Sequence, residues 1–310
     1  MSHLFGPVPS RRLGLSLGVD LVPPKTCTFD CLYCEVGRTT HLTRQPQLYR
    51  VAEIIRELDD YLANPPSALD FVTMAGSGEP TLNLGLGKII AAVKRLTHTP
   101  VAVLTNGSLF YLPEVRAEAA GADVILPSLD AGREETFRRI NRPHPGLTLD
   151  LVVSGLKALR REYAGQVWLE IVVLKDLNDR EEELTALKAL LRELAPDKVQ
   201  LNTAVRPVAD SAAQPLTPEK MDAVARFLGE GAEVVAASRQ CSPERLALKD
   251  RDLLDMLARR PMTAGDLAQA LGVSLAQVRE RLGRLLKSGL VSRDLHREED
   301  FYRSLVTSSP

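Results

Sequence analysis

The stretch LGLSLGVDLVPPKTCTFDCLYC, residues 13–34, decides how the rest of the chain is read. Its first half, Leu15–Val22, is an apolar run of strand length that stops at two prolines. Its second half puts Cys27, Cys31 and Cys34 on the loop directly after that strand, at spacings of four and three. The same rhythm of apolar run, polar or glycine-rich loop and helical pattern continues to about residue 240. Further runs are Phe71–Ala75, Val101–Thr105, Val124–Pro127, Val167–Leu174 and Val199–Asn202, with helix-length segments at Val51–Leu62, Leu86–Leu96, Leu149–Glu162 and Glu181–Leu194. Six strands alternating with helices predict a parallel α/β sheet with right-handed crossovers. The near-continuous Val/Ile/Leu character predicts helices covering both faces. An open doubly wound sheet and a barrel fit this alternation equally well.

Composition narrows the class. With 310 residues, at about 150 per domain, two domains are expected. Apolar residues at 45% and charged residues at 25% describe a globular chain rather than a disordered one. A net charge of −1 argues against a nucleic-acid binder held by global positive charge. Four cysteines are too few for a disulfide scaffold, and crowding three of them into eight residues points to metal ligation in a reducing compartment. The start lacks a signal-peptide core and no 18-residue apolar run occurs, so a cytoplasmic protein without membrane contact is expected.

Three thiolates at this spacing can bind three irons of a 4Fe–4S cube and leave the fourth iron without a protein ligand. Electron-transfer clusters close all four positions with cysteine, whereas an open iron can bind a cofactor directly. A Cys3His zinc site using His41 is the competing arrangement. The pattern resembles the radical S-adenosylmethionine (radical SAM) superfamily, and further family-like segments follow in order over about residues 5–205. In that family the amino and carboxylate groups of S-adenosylmethionine chelate the open iron. One electron from the cluster then cleaves the C5′–S bond, giving methionine and a 5′-deoxyadenosyl radical that abstracts hydrogen from substrate. The resemblance implies a partial (β/α)6 barrel. It also assigns Gly76, Gly78 and Glu79 of the Gly-Ser-Gly-Glu-Pro-Thr segment to the cofactor's ammonium group. Asn106, Ser128 and Asp130 would contact its ribose or carboxylate, and Tyr33 its adenine.

Within the superfamily the nearest likeness is to enzymes related to the wybutosine-synthesising tRNA group. It rests on Ser-Gly-Glu-Pro-Thr-Leu at 77–82, Ser-Leu-Asp-Ala at 128–131 and Val-Leu-Lys-Asp-Leu-Asn at 173–178. Those enzymes' flavodoxin-like or second-cluster portion is missing, because only Cys241 lies outside the motif and reads as an inert thiol. The chemistry therefore implies an external low-potential donor, a flavodoxin or ferredoxin. The substrate stays open among RNA, peptide and small molecule. Arg11 and Arg12 before the first strand, Arg142 and His144 after the fourth, and Arg206 at the end of the sixth would suit an anionic one.

From about residue 245 the pattern changes. Arg251–Arg260 reads as a helix, Thr263-x-x-Asp266 as a helix start stopped by Gly272, and Ser274-x-x-Gln277 as a capping box opening a helix that Gly289 ends. Leu275, Val278, Leu282, Leu285 and Leu286 form its apolar stripe, and Leu290–Leu295 and Phe301–Val306 alternate as a hairpin. This predicts a winged helix-turn-helix over 243–310 after a barrel over 1–240. An iron–sulfur-sensing transcription regulator is the alternative function. Arg279, Arg281, Arg284 and Lys287 would suit DNA, but the wing tip Glu298-Glu299-Asp300 is acidic and the domain nets only +2. A role docking or covering the barrel is expected instead.

Overall fold

The computed structural model describes residues 2–63, 65, 68–229, 231–235, 250–271, 273–296 and 299–305. β1 (Leu4–Ser10) and β2 (Gly14–Val19) form a hairpin, and the short strands β3 (Thr26–Cys27) and β4 (His41–Leu42) bracket the cysteine loop. Then come α1 (Val51–Leu62), β5 (Phe71–Met74), α2 (Leu86–Leu96), β6 (Val101–Thr105), α3 (Pro113–Ala119), β7 (Val124–Pro127), α4 (Glu134–Asn141) and α5 (Leu149–Glu162). β8 (Gln166–Val172), α6 (Glu181–Leu194), β9 (Lys198–Asn202), α7 (Pro218–Leu228) and β10 (Ala232–Val234) complete the first unit. One eight-stranded sheet runs β1-β2-β5-β6-β7-β8-β9-β10, parallel throughout except for the β1–β2 hairpin. The six strands expected from the apolar runs are all there, and the sheet is that of a partial (β/α)6 barrel.

Helix patterning follows the burial. α1 buries Ile54, Leu58 and Leu62, one residue per turn along a single face. The β-strand residues Leu17, Val19, Val72, Met74, Val101, Val103 and Ile125 are almost fully buried under helices. The edge strand β1 escaped the periodicity reading because its sequence, LFGPVPS, carries two prolines and a glycine. An extra residue between Phe5 and Val8 shifts its register against β2. That bulge brings both residues to the cavity side of the sheet, where β1 meets the second unit.

The second unit contains α8 (Asp250–Arg259), β11 (Met262–Thr263), α9 (Ala264–Leu271), α10 (Leu275–Lys287), β12 (Val291–His296) and β13 (Glu299–Ser304). The three strands pair in the order β11-β13-β12, so the expected hairpin gains a third strand. Ser274 and Gln277 form the capping box, and Thr263 Oγ1 accepts from the Asp266 N–H at 3.0 Å. Val278, Leu282 and Leu285 are buried, whereas Leu275, assigned to the same stripe, is exposed at the first turn. Gly272, Glu298, Cys241 and the junction expected near residues 241–242 lie outside the described residues. The two units share a core: Val8 of β1 is buried among Leu253, Met256, Leu257, Met262 and Leu267. The helix-turn-helix thus rests on the barrel's edge strand through α8 and α9, and α10 turns its charged face outward.

Candidate functional site

The barrel interior holds a cavity of about 350 Å³. Cys27, Cys31, Cys34 and Tyr33 line it, as do Gly76, Gly78, Glu79, Asn106 and Ser128 from the loops after β5, β6 and β7. These are C-terminal strand ends, where parallel barrels build their sites. Two glycines make the loop after β5 possible for reasons internal to the protein. A Cβ at Gly78 would fall 2.2 Å from the Thr26 carbonyl, and one at Gly76, with φ at +147°, would collide with the Asp20 carboxylate. Gly78 thereby lets the Glu79 loop lie directly against the strand that carries Cys27, and Glu79 N–H donates to Thr26 O at 3.0 Å.

The cysteine loop is held by side chains from two other loops. Asn106 Nδ2 donates to Thr28 Oγ1 at 2.7 Å and lies 3.6 Å from Cys27 Sγ, while Asn141 Nδ2 lies 3.6 Å from Cys31 Sγ. Burial pushes the Cys27 thiol up to about 12, with the Glu79 carboxylate adding to the shift. Burial raises Cys31 and Cys34 as well. Three clustered thiols in this setting need a cation to become thiolates, and iron supplies that charge. The donor set therefore fits a 4Fe–4S cluster. His41 does not fit as a fourth ligand: it is exposed on β4, paired in register with Thr26, and absent from the cavity wall. Among the described residues no three His, Cys, Asp or Glu side chains converge on a single ion.

Glu79 is buried and firmly oriented. One carboxylate oxygen accepts from Thr81 N–H, Thr81 Oγ1 and Thr105 Oγ1, while Oε2 accepts from Asn106 N–H at 2.8 Å. Burial raises its pKa against these four donors. Oε2, with one donor, keeps acceptor capacity. Tyr33 lines the cavity with its hydroxyl donated to Asp130. Asp130 itself is not in the cavity wall. Its carboxylate is taken by Tyr33, by Asn141 Nδ2 at 2.7 Å and by Val172 N–H at 2.8 Å, so it anchors the aromatic ring from outside the cavity wall.

The arginines separate similarly. Arg11, Arg12 and Arg206 line the cavity; Arg142 and His144 do not. Arg142 pairs with Asp210 at 2.9 Å, and His144 Nδ1 accepts from Gly146 N–H at 3.1 Å. Three charged wall residues were missed. Glu170, which pairs with Arg12, was visible as a lone acid inside the apolar Val167–Leu174 run. Glu35 follows Cys34, and burial would raise it, but Arg206 and Arg260 hold it below the usual carboxylate range. Arg260, from the helix-turn-helix, carries no local signal in the sequence.

A radical SAM superfamily profile matches residues 21–187, and a helix-turn-helix domain profile matches residues 251–294. A protein described as GTPase Obg from Brachyspira hyodysenteriae is 38% identical over 298 residues. That match covers 94% of this chain, which spans only 44% of that protein's length. A UPF0026 protein of Methanocaldococcus jannaschii is 33% identical over 241 residues, covering 77% of this chain and 74% of that one. A probable GTP 3′,8-cyclase of Thermoplasma volcanium is 25% identical over 182 residues, covering 57% and 49%. The crystal structure of a radical SAM methyltransferase from Sphaerobacter thermophilus superposes with a TM-score of 0.51 at 19% identity, over 71% of this chain and 66% of that one, and shows the same fold. More than half of the chain matches the profile, and its three thiols open into the barrel interior: it belongs to the radical SAM superfamily, enzymes that work with a 4Fe–4S cluster and S-adenosylmethionine.

Proposed function

We propose that this chain is a radical SAM enzyme that holds its cluster on Cys27, Cys31 and Cys34 and acts on a substrate inside the barrel cavity. The observation that carries the reading is the convergence of those thiols, Tyr33 and Glu79 on one cavity. When bound, the cofactor pair supplies one-electron reductive cleavage of the C5′–S bond, giving methionine and a 5′-deoxyadenosyl radical that takes a hydrogen atom from substrate. Glu79 Oε2 offers a negative acceptor to an ammonium group. Tyr33, braced by Asp130, offers a flat face for a purine. Asn106 and Asn141 hold two of the thiols in place by N–H···S contacts. Leu104, Leu126 and Met262 line the cavity with apolar surface that keeps water from a reactive centre.

A flavodoxin or ferredoxin would deliver the electron, because a single extra cysteine cannot support a second cluster. Anaerobic reconstitution tests the reading. Four irons per chain and 5′-deoxyadenosine released under reduction are the expected result. A fully loaded cluster that yields none with several reductants overturns it.

The outward face of α10 favours a second reading, an iron–sulfur-sensing DNA regulator, since Arg279, Arg284 and Lys287 are all exposed on it. Salt-sensitive, sequence-dependent duplex binding together with absent cofactor cleavage would select that alternative.

A further inference from the structure

Part of the cavity wall comes from outside the barrel. Met256 on α8, Met262 on β11 and Arg260 between them line the same interior as the cysteines. The cavity's guanidiniums fall into two kinds. Arg12 is taken by Glu170, and Arg206 by Glu35 and Asp266 at 3.2 and 3.5 Å. Arg11, in the turn between β1 and β2, has no ion pair or side-chain hydrogen bond among the described residues. Arg260 comes to 3.9 Å from Glu35 Oε2, too far for a hydrogen bond.

Each guanidinium has five N–H donors, and in a desolvated wall unused donors are costly. Burial lowers the pKa of Arg11 and brings that of Arg260 down to about 10, with the Arg206 charge lowering both further. Among the described residues Glu170, Glu35 and Asp266 are engaged by Arg12 and Arg206, and Arg260 meets Glu35 only at 3.9 Å, so Arg11 and Arg260 keep N–H donors for a ligand. An oxyanion that offers two oxygens, a carboxylate or a phosphate, is the group that the planar guanidinium binds best. S-adenosylmethionine is not that anion on the present reading, because its carboxylate belongs at the cluster's open iron.

We propose that the helix-turn-helix domain completes the substrate pocket of this enzyme, and that the pocket takes a small molecule whose phosphate or carboxylate group is bound by Arg11 and Arg260. The inference rests on the cavity being the radical SAM site and narrows its substrate to an anion small enough to lie beneath α8 and β11. Met256 and Met262 then cover the apolar part of that molecule.

Calorimetry on the anaerobically reconstituted full chain, saturated with S-adenosylmethionine, tests this with inorganic pyrophosphate in one arm and succinate in the other. At least one anion should bind the native chain. Arg11→Gln and Arg260→Gln should each weaken that binding tenfold or more, and Arg279→Gln on the outer face of α10 should leave it unchanged. Arg11→Gln removes no side-chain hydrogen bond or ion pair among the described residues, so a loss there does not reflect misfolding. The arm that binds identifies the anion class. Binding of neither anion, affinity retained in either cavity variant, or an equal loss in Arg279→Gln overturns the proposal. Cofactor cleavage by the native chain is measured separately: its absence defeats the enzyme reading, whereas cleavage without anion binding defeats only this inference.

Discussion

Arg206 Nη1 stands 3.2 Å from Glu35 Oε2, tying the end of β9 to the residue that follows the third cysteine. The same guanidinium reaches Asp266 at 3.5 Å on α9, so one buried side chain joins the cluster loop, the barrel and the helix-turn-helix. Removing it deprives Asp266 of its guanidinium and leaves Glu35 with Arg260 at 3.9 Å. Arg206→Gln should destabilise the chain by about 2–3 kcal/mol, below the range for a fully buried pair because Glu35 and Asp266 keep some solvent access. Urea unfolding reads this, and an unchanged midpoint would show the tie to be energetically idle.

Glu79→Gln keeps the shape of a carboxylate that four donors hold in place but removes its charge. A lost charge-assisted hydrogen bond costs about 1.5–3 kcal/mol, so S-adenosylmethionine should bind roughly 10- to 100-fold more weakly while iron content stays the same. Equal affinity in a binding titration would remove Glu79 from the cofactor site.

Cluster assembly and cluster potential should separate. Cys31→Ala should abolish iron loading, whereas Cys241→Ala should leave it intact. Asn106→Ala and Asn141→Ala should keep the iron but lower the reduction potential, because each removes an N–H aimed at a ligating sulfur. Spectroelectrochemical titration checks the direction; an unshifted potential in both variants would mean that the two amides only position the loop.

Burial raises Asp130 to about 6 against the hydrogen bonds that favour its charged form. The native state therefore keeps this proton at pH values where the unfolded chain has released it. Its contribution to stability is complete below about pH 4 and is lost as pH rises through about 6, on the order of 3 kcal/mol. Asp130→Asn should flatten this segment of the stability–pH curve. A curve parallel to that of the native chain over pH 4–6 would place the titration elsewhere.

Ending the chain near Ser242 removes the helix-turn-helix and uncovers Val8 and Phe5 on β1. The barrel keeps its own core and should still load iron and release 5′-deoxyadenosine, but without coupling to product. In the full chain, Val8→Ala should cost about 1.5 kcal/mol, two methyl groups at about 0.8 kcal/mol each. Coupled turnover by the truncated chain would show that the domain is dispensable to the pocket.

The sequence by itself carried the alternation of strands and helices, since both periodicities are local and α1, α2, α5 and α6 begin and end where the apolar pattern does. It also carried the grouping of Cys27, Cys31 and Cys34, because three cysteines on one loop need no distant partner to be recognised. The capping box at Ser274 was legible for the same reason. What it left open was long-range. Asp130, read as a cofactor contact, is drawn behind Tyr33 by Val172 and Asn141, donors 42 and 11 residues away. β1 was hidden by its prolines, and only its pairing with β2 and its burial against α8 and α9 make it a strand. Arg260 lies far along the chain from the cysteines, on a segment with its own fold signal, and nothing local marks it as facing them. Side-chain period and capping are decided over a few residues, whereas a cavity wall is decided by which surfaces the folded chain brings together. That is why the cysteine loop could be read from the sequence, and the wall that the helix-turn-helix adds to its cavity could be read only from the tertiary structure.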